Sequence, residues 1–301
     1  MDFADSAKGT PGVQLSRVEL SIGGLDVLRF ANYDHAFPRH AHDHYTVGVF
    51  DVGNGSLRYR NAKWVAADGS VLAVAADEVH AAEPARGKGW TYRVLYPSIS
   101  LAALAIDDEP RAASTVFPAP IIDDPSLAGA LLRLHEDLVA GTHGLAVEER
   151  LLACLRWLLA RHSAARTTRR TPASAARAVE LARDYIDTHF AEAVKLAPLA
   201  ALCEMSPFHL IRSFRQAVGL PPHAYLTQVR ANRARDLLLQ GEPLCATAHL
   251  CGFCDQSHLT RTFKRLFGMT PGAYIDALRP NGPRGLTAQP PRGRPGRAIF
   301  S

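Results

Sequence analysis

The chain has 301 residues, of which 47% are hydrophobic, and a formal net charge of +5 at neutral pH. This length corresponds to about two domains, and no apolar run reaches the ~18 residues of a membrane-spanning helix, so we expect no membrane partner. The opening MDFADSAKGTPG contains two aspartates and no apolar signal-peptide core. We therefore expect a cytoplasmic protein whose five cysteines are thiols.

The charge is divided unevenly along the chain. Residues 1–160 contain 14 basic and 20 acidic residues, a net of −6, whereas 161–301 contain 20 basic and 9 acidic residues, a net of +11. Part of this excess lies in 279–301, which has five arginines, five prolines and no acid, and which we expect to be a disordered basic tail. The rest indicates an acidic module joined to one that binds a polyanion, with double-stranded DNA as the expected partner.

Short β segments are predicted within 13–96. They are rich in Val, Leu, Tyr and Phe and are separated by turn sequences such as GNG and ADG. The predicted segments are 27–33, 44–53, 56–66, 70–76 and 91–97. Strands at this spacing are typical of a small barrel or jelly roll.

Two amphipathic helices, 123–141 and 146–162, are predicted to follow. Their leucines recur at helical spacing, as Leu127, Leu131, Leu134 and Leu138 and as Leu151, Leu155 and Leu158. Two interpretations remain open. These stripes pack on the β domain, or they form the seam of a homodimer and couple the β domain to the basic C-terminal region. The next segment, 163–176, has no large apolar residue and is predicted to be an interdomain linker.

The region 177–278 is helical in pattern and contains a repeat. HLIRSFRQAVGLPPHAY (209–225) recurs 49 residues later as HLTRTFKRLFGMTPGAY (258–274). Two copies are too few for a solenoid, so the repeat indicates one small unit that is used twice against one partner.

Each copy has the signals of a helix-turn-helix. Ser206 and Asp255 are predicted N-caps of the second helix of each unit, and Gly219 and Gly268 are predicted to end these helices. A short helix precedes each one, at 197–205 and 243–253, and a long helix at 222–240 connects the two units. We expect the arginines of this long helix, Arg230, Arg233 and Arg235, to face solvent or phosphates.

The exposed faces of the two second helices supply the candidate DNA contacts, because such helices enter the major groove. These residues are Phe208, His209, Ile211, Arg212, Arg215, Gln256, Ser257, His258, Thr260, Arg261 and Lys264. Gln suits adenine and Arg suits guanine through paired hydrogen bonds. Arg215 and Lys264 lie one turn later and suit phosphates.

GFCDQSHLTRTFKRLFGMTPGAY (252–274) resembles the signature of the AraC/XylS family of bacterial transcription regulators. The resemblance covers about 177–278 and, less strictly, the N-terminal region. It implies seven helices that form a double helix-turn-helix, and it implies double-stranded DNA and RNA polymerase as partners. One departure is Glu204, which stands where the family usually has Gly.

Two N-terminal segments, 37–60 and 67–84, resemble the halves of a cupin-type sensor domain. His40, His42 and His80 match three ligand positions of metal-binding cupins, but the fourth ligand, a Glu, is missing. Three imidazoles can hold Zn or Fe, yet sensor cupins usually lose the metal, so we expect no metal and no cofactor. We expect instead a polar rim that orients a small effector. The candidate lining is His40, His42, Tyr45, His80, Trp90 and Tyr92.

The expected fold is α+β, with a cupin-like β-barrel and flanking helices followed by an all-α domain. The expected boundaries are 13–162 for the sensor and dimerisation domain, 163–176 for the linker, 177–278 for the DNA-binding domain and 279–301 for the tail. The expected function is sequence-specific transcription regulation in response to a small effector, by a homodimer without enzymatic activity. A cupin-type metalloenzyme with an appended helical domain and an architectural DNA binder are the alternatives.

Overall fold

The structure is a computed structural model that describes residues 12–53, 55–85, 89–142, 144–165 and 173–278. The predicted tail, 279–301, and the central part of the predicted linker, 166–172, lie outside these residues. The strands of the first half are β1 (Gly12–Leu20), β2 (Gly23–Tyr33), β3 (Phe37–His40), β4 (Thr46–Val52), β5 (Gly55–Tyr59), β6 (Ala62–Ala66), β7 (Val71–Val74), β8 (His80–Pro84) and β9 (Trp90–Tyr96).

Four helices and three short strands complete the N-terminal domain. They are α1 (Ile99–Ile106), α2 (Glu109–Ala113), β10 (Thr115–Val116), β11 (Ile121–Ile122), α3 (Pro125–Val139), α4 (Leu145–His162) and β12 (Ala164–Ala165). The C-terminal helices are α5 (Ala173–Thr188), α6 (Leu196–Leu202), α7 (Pro207–Val218), α8 (Pro222–Leu239), α9 (Leu244–Leu250), α10 (Gln256–Phe267) and α11 (Pro271–Leu278). None of the described helices combines the length and the apolar character that a membrane crossing requires.

The N-terminal strands form two antiparallel sheets that pack together. One sheet has the order β1-β2-β9-β4-β7-β11 and the other has the order β3-β8-β5-β6. Successive residues of a strand point to opposite faces. Val27 therefore enters the core beneath the helices, whereas Leu28 faces the four-stranded sheet. The expected α+β fold with a sheet-rich first domain is confirmed, and 56–66 is resolved into the hairpin β5–β6.

The leucine stripes of α3 and α4 belong to the core of the first domain. All seven stripe leucines are buried among sheet and helix residues, with Leu151 and Leu155 exposed by 0% and 2%. The interpretation in which these stripes form a dimer seam is therefore wrong. A stripe fixes which face of a helix is buried, but the facing partner here is the sheet of the same chain.

The seven C-terminal helices form two helix-turn-helix units, α6–α7 and α9–α10, with α8 between them. The first unit has its own core, which includes Val179, Ile186, Leu210 and Phe214. The core of the second unit is continuous with the core between the two β sheets. The second unit is thus packed directly on the sensor domain.

The sequence repeat is also a structural repeat. The Ser206 and Asp255 side chains cap α7 and α10 by accepting hydrogen bonds from the His209 and His258 backbone N–H groups, at 3.3 and 2.6 Å. Both helices end at a left-handed glycine, with φ of 84° at Gly219 and 80° at Gly268. The predicted caps and helix ends are present.

The turn of the first unit contains a strained residue. Glu204 has φ of 53°, and Gly252 takes the same left-handed conformation in the second unit. A side chain in this region costs roughly 1–2 kcal/mol relative to a right-handed conformation, which explains why a glycine suits this turn.

The predicted linker, 163–176, overlaps regular structure at both ends, since β12 pairs with β10 and α5 starts at Ala173.

Candidate functional site

The candidate DNA contacts lie on the outer faces of α7 and α10. Phe208 is 77% exposed, and His209, Arg212 and Arg215 are exposed on the same helix, with Ile211 partly buried. On α10 the exposed members are Gln256, Ser257 and Arg261, and the partly buried members are His258, Thr260 and Lys264. The opposite faces are anchored by the fully buried Leu210, Phe214, Leu259 and Phe263. The apolar stripes therefore determine which side chains face outward.

Two of these α10 residues have contacts of their own. The His258 ring lies edge-on to Phe253, with centroids 5.2 Å apart. The Thr260 hydroxyl donates to the Gln256 carbonyl at 2.8 Å. The side chains of Gln256, Ser257 and Arg261 are more exposed.

The sequence pattern predicts that the arginines of the connecting helix α8 face solvent or phosphates. Arg235 departs from this prediction, and Arg230 is only partly exposed. Arg230 donates to the Phe190 and Glu192 carbonyls, both at 2.7 Å, and so holds the segment between α5 and α6. The Arg235 side chain is only 13% exposed and pairs with Asp43 of the sensor domain at 3.3 Å. Arg233 is exposed, as expected, over the Phe190 ring.

Burial and charge act in opposite directions on the Arg235–Asp43 pair. Burial alone lowers the pKa of Arg235, but Asp43, Tyr274 and Asp236 together outweigh it, so the pKa is raised. Burial alone raises the pKa of Asp43, but Arg235 and His44 hold the pKa below its usual value. Both groups therefore stay charged, and they link α8 to the loop before β4.

A cavity of about 800 Å³, its open mouth included, lies between the two β sheets and the second helix-turn-helix unit. Its sensor wall is largely aromatic and aliphatic and includes Phe30, Phe37, Phe50, Leu57, Trp90 and Tyr92. Its other wall comes from the DNA-binding half and includes Arg235, Leu266, Phe267, Met269 and Tyr274. The cavity is thus shared by both halves of the chain.

Histidines form the polar side of this cavity. His40 and His80 face each other across the β3–β8 pair, with ring centroids 4.5 Å apart, and His42 lies 4.7 Å from His40. Burial, together with the neighbouring imidazoles, lowers the pKa of His40 to about 3. Burial lowers the pKa of His80 to about 4 and that of His42 well below its usual value. All three rings are therefore neutral at neutral pH.

The structure brings five of the six sequence-predicted effector residues to the cavity wall: His40, His42, His80, Trp90 and Tyr92. Tyr45 is the exception. Its ring packs against Phe117 in the helix-side core, and its hydroxyl donates to the Ala112 carbonyl at 2.5 Å. Because neighbouring residues of an extended chain point to opposite sides, His44 and Thr46 line the cavity and Tyr45 cannot.

Sequence reasoning missed several other lining residues. The alternation that excludes Tyr45 identifies His44 and Thr46, so this signal was present in the sequence. The Thr46 hydroxyl and the Trp90 indole nitrogen are buried and have no hydrogen-bond partner among the described residues. Buried polar atoms normally have partners, so these two atoms are exceptions among the residues of the cavity wall. Arg235, Phe267 and Tyr274 had no local signal, since only tertiary packing brings them here.

Helices α7 and α10 both end against the sensor domain. Arg39 donates to the Gly219 carbonyl at 3.1 Å, and the Tyr33 hydroxyl donates to the Gly268 carbonyl. Gln228 of α8 is hydrogen-bonded twice to the Ala41 backbone. A methyl group on Gly268 would lie 3.0 Å from the Tyr33 hydroxyl, so the absence of a side chain allows this close contact.

Comparisons with known proteins agree with this architecture. A model described as an AraC-like ligand binding domain matches 23–159, and a helix-turn-helix domain model matches 199–277. An uncharacterized HTH-type transcriptional regulator YbfI of Bacillus subtilis (strain 168) is 29% identical over 77% of this chain and 85% of its own. The HTH-type transcriptional activator RhaS of Klebsiella pneumoniae (strain 342) is 26% identical over 74% of this chain and 81% of its own.

Two solved structures share the overall fold. ToxT from Vibrio cholerae O395 aligns with a TM-score of 0.53 and 12% identity over 90% of this chain and 99% of its own. A structure of unsaturated fatty acid bound wild-type ToxT from Vibrio cholerae strain SCE256 aligns with a TM-score of 0.51 and 13% identity over 90% and 97%. The ligand-binding match, the helix-turn-helix match and the two helix-turn-helix units of the fold lead to one conclusion. The chain belongs to the AraC family of DNA-binding transcription regulators and carries an N-terminal ligand-binding domain ahead of its helix-turn-helix units.

Proposed function

We propose that a small effector in the shared cavity controls DNA reading through direct contact between the two halves of the chain. The observation that carries this proposal is that Arg235, Phe267 and Tyr274 of the DNA-binding half line the same cavity as the sensor residues. A molecule that fills the cavity touches both halves at once. This replaces the route through α3 and α4, which pack on the other face of the six-stranded sheet.

The wall chemistry supports a mainly apolar effector with one polar or anionic head. Phe30, Phe50 and Trp90 provide aromatic surface for the apolar body. The histidines, the unpartnered Thr46 hydroxyl and the Arg235 guanidinium provide polar contacts for the head. The fatty acid named with ToxT has this general chemistry and binds a protein of the same fold.

The effector acts by shifting the equilibrium between a docked and an undocked second unit. It can shift this equilibrium only by its difference in affinity for the two arrangements, typically ~1–3 kcal/mol. Because its binding surface comes from both halves, we expect it to favour the docked arrangement. The contacts at Gly219 and Gly268 then fix the two reading helices relative to each other.

On DNA, we propose that Gln256, Arg261 and Arg212 read bases and that Arg215 and Lys264 bind phosphates. These roles rest on their exposure and on the two equivalent helix positions. We further propose that the chain acts in the cytoplasm as a homodimer, contacts RNA polymerase and has no enzymatic activity. The match to a transcriptional activator supports the polymerase contact.

The test has two steps. Genome-wide capture of DNA fragments by the purified chain, at stated salt, identifies the operator, and mobility shifts with apolar carboxylic acids then identify an effector. We expect His40→Ala combined with His80→Ala to abolish the response to the acid while operator binding remains. His223→Ala, at an exposed position on α8, is the matched control. A double variant that responds normally would place the effector elsewhere.

A further inference from the structure

The histidine cluster of the cavity, His40, His42 and His80, has a geometry that an organic effector does not require. One ring nitrogen from each residue lies within 4.8 Å of the others. Within the described residues it is the one group of three or more His, Cys, Asp or Glu side chains that converges in this way. Its members come from β3, from the loop after β3 and from β8.

Backbone carbonyls fix the tautomer of two of these rings. His40 Nδ1 lies 2.6 Å from the Pro38 carbonyl oxygen, and His80 Nδ1 lies 3.1 Å from the Glu78 carbonyl oxygen. A carbonyl oxygen only accepts hydrogen bonds, so each Nδ1 carries the proton and donates it. In the neutral rings each Nε2 then carries a lone pair, and that of His40 accepts a hydrogen bond from the His42 Nε2–H group. Metal-binding histidines are held by the same type of outer hydrogen bond.

The separation of the nitrogens fits a coordination sphere. The Nε2 atoms of His40 and His42, which this hydrogen bond joins, are 3.1 Å apart, and a bound ion would take the place of the proton between them. Two nitrogens bound to Zn²⁺ at about 2.0–2.1 Å in tetrahedral geometry are about 3.3 Å apart. The third nitrogen, at no more than 4.8 Å, reaches this position with a movement of at most about 1.5 Å, which ring rotation supplies. His44 is not part of the converging group, and its Nε2 faces the Asp43 carboxylate at 3.7 Å.

We propose that His40, His42 and His80 together bind one divalent transition-metal ion, with Zn²⁺ as the reference ion. Three imidazoles suit Zn²⁺, Fe²⁺, Ni²⁺ and Cu²⁺, whereas Mg²⁺ and Ca²⁺ prefer oxygen ligands. Three protein ligands leave a position open towards the cavity, where an oxygen or nitrogen donor of a small molecule can bind the ion. This replaces the expectation of a metal-free cavity, and it holds whether or not an effector is bound.

The test uses the full chain, treated with a chelator and then dialysed against Zn²⁺. Elemental analysis should give one ion per chain. His40→Asn and His80→Asn should each weaken Zn²⁺ binding by at least ~10-fold. The matched control is Cys251→Ser combined with Cys254→Ser, which removes the competing C-x-x-C thiols and should leave the affinity unchanged.

A spectroscopic measurement on the wild-type chain keeps the test independent of how the variants fold. Co²⁺ should produce visible d–d absorption without the near-ultraviolet charge-transfer band of a thiolate ligand. The proposal is wrong if the wild-type chain retains no ion, or if a thiolate band appears and the cysteine variant loses the ion. Mobility shifts in the presence of a chelator test the regulatory proposal separately. A metal-free chain that still binds DNA and still responds to a carboxylic acid effector would retain the proposed regulatory function.

Discussion

At the scale of single residues, specificity should depend on a few side chains on the outer face of α10. We expect Arg261→Ala and Gln256→Ala each to cost ~1–3 kcal/mol of binding to the preferred operator, because a paired hydrogen bond to a base edge is lost. The loss should be confined to one half of the site, and Arg212→Ala should act on the other half. Binding to an operator library by the wild-type chain and by each variant measures this.

Lys264 should behave differently, because a phosphate contact carries no sequence information. Lys264→Ala is expected to weaken binding to all sequences and to reduce the salt dependence by about one phosphate contact. Arg156→Ala removes one charge from the exposed face of α4 and serves as control. Unchanged base selectivity in Arg261→Ala would show that α10 presents another face to DNA.

Arg235, like Gln228, joins α8 to the sensor domain. We expect Arg235→Met to lower the free energy of unfolding by about 1 kcal/mol, since Arg235 is buried but Asp43 is more than half exposed. Denaturant unfolding of Arg235→Met, Asp43→Asn and the double variant measures the coupling. Arg233→Met, on the exposed side of the same helix, is the control. Additive effects of the two substitutions would rule out the link.

At the scale of elements, the leucine stripe of α4 lies in the core of the first domain. Leu155→Ala should lower the free energy of unfolding by roughly 2–5 kcal/mol, because it leaves a cavity in a closed core. Leu145→Ala is the matched control at the start of the same helix, where Leu145 is 71% exposed against 2% for Leu155. Sedimentation should show the same oligomeric state for both variants. A change of oligomeric state in Leu155→Ala alone would indicate that the leucine stripe forms a dimer interface.

At the scale of the whole molecule, buried histidines should make the fold sensitive to acid. The pKa values of His40, His80 and His135 are lowered by burial to about 3, 4 and 4, whereas an unfolded histidine titrates near 6.5. The unfolded chain therefore binds more protons, so stability is complete above about pH 7 and falls as the pH drops through 6.5 towards 4. Each imidazole contributes ~1.4 kcal/mol per pH unit within this window.

Denaturant unfolding between pH 7.5 and 5, in the presence of a chelator, measures this slope. His135→Gln should reduce it by about one proton, because His135 is buried outside the cavity and contacts the Leu28 carbonyl at 3.0 Å. The exposed His223→Gln should leave the slope unchanged. A stability that stays constant from pH 7 to 5 would contradict the burial of neutral imidazoles.

The DNA-binding half should fold alone, although part of its surface is covered by the sensor. The fragment 170–280 keeps the separate core of the first unit and the buried Leu259 and Phe263 of the second. It loses the cover over Phe267, Met269 and Tyr274. We expect a folded fragment that binds the same operator more weakly than the full chain, measured by circular dichroism and mobility shift. An insoluble or non-binding fragment would show that the independently folding DNA-binding domain does not begin near residue 170.

Features that depend on neighbours in the chain could be predicted from the sequence alone. The caps at Ser206 and Asp255, the glycine ends at Gly219 and Gly268 and the outward face of α10 follow from hydrogen bonds and spacings within a few residues. The repeated segment predicts the double helix-turn-helix, because each copy contains its own cap, apolar stripe and helix end. The histidine cluster could be predicted because His40, His42 and His80 match ligand positions of metal-binding cupins.

Which surfaces meet was decided by tertiary packing. The leucine stripes required a partner, but their spacing did not say whether it was a sheet or a second chain. Tyr45 has the polar aromatic side chain expected in a ligand cavity, yet strand alternation directs it into the core on the helix side. Arg235 has the charge expected of a phosphate contact, yet tertiary packing pairs it with Asp43 at the cavity. Contacts such as Gln228 with Ala41 join residues 187 positions apart. Such pairings depend on how two folded surfaces fit, which no local pattern contains.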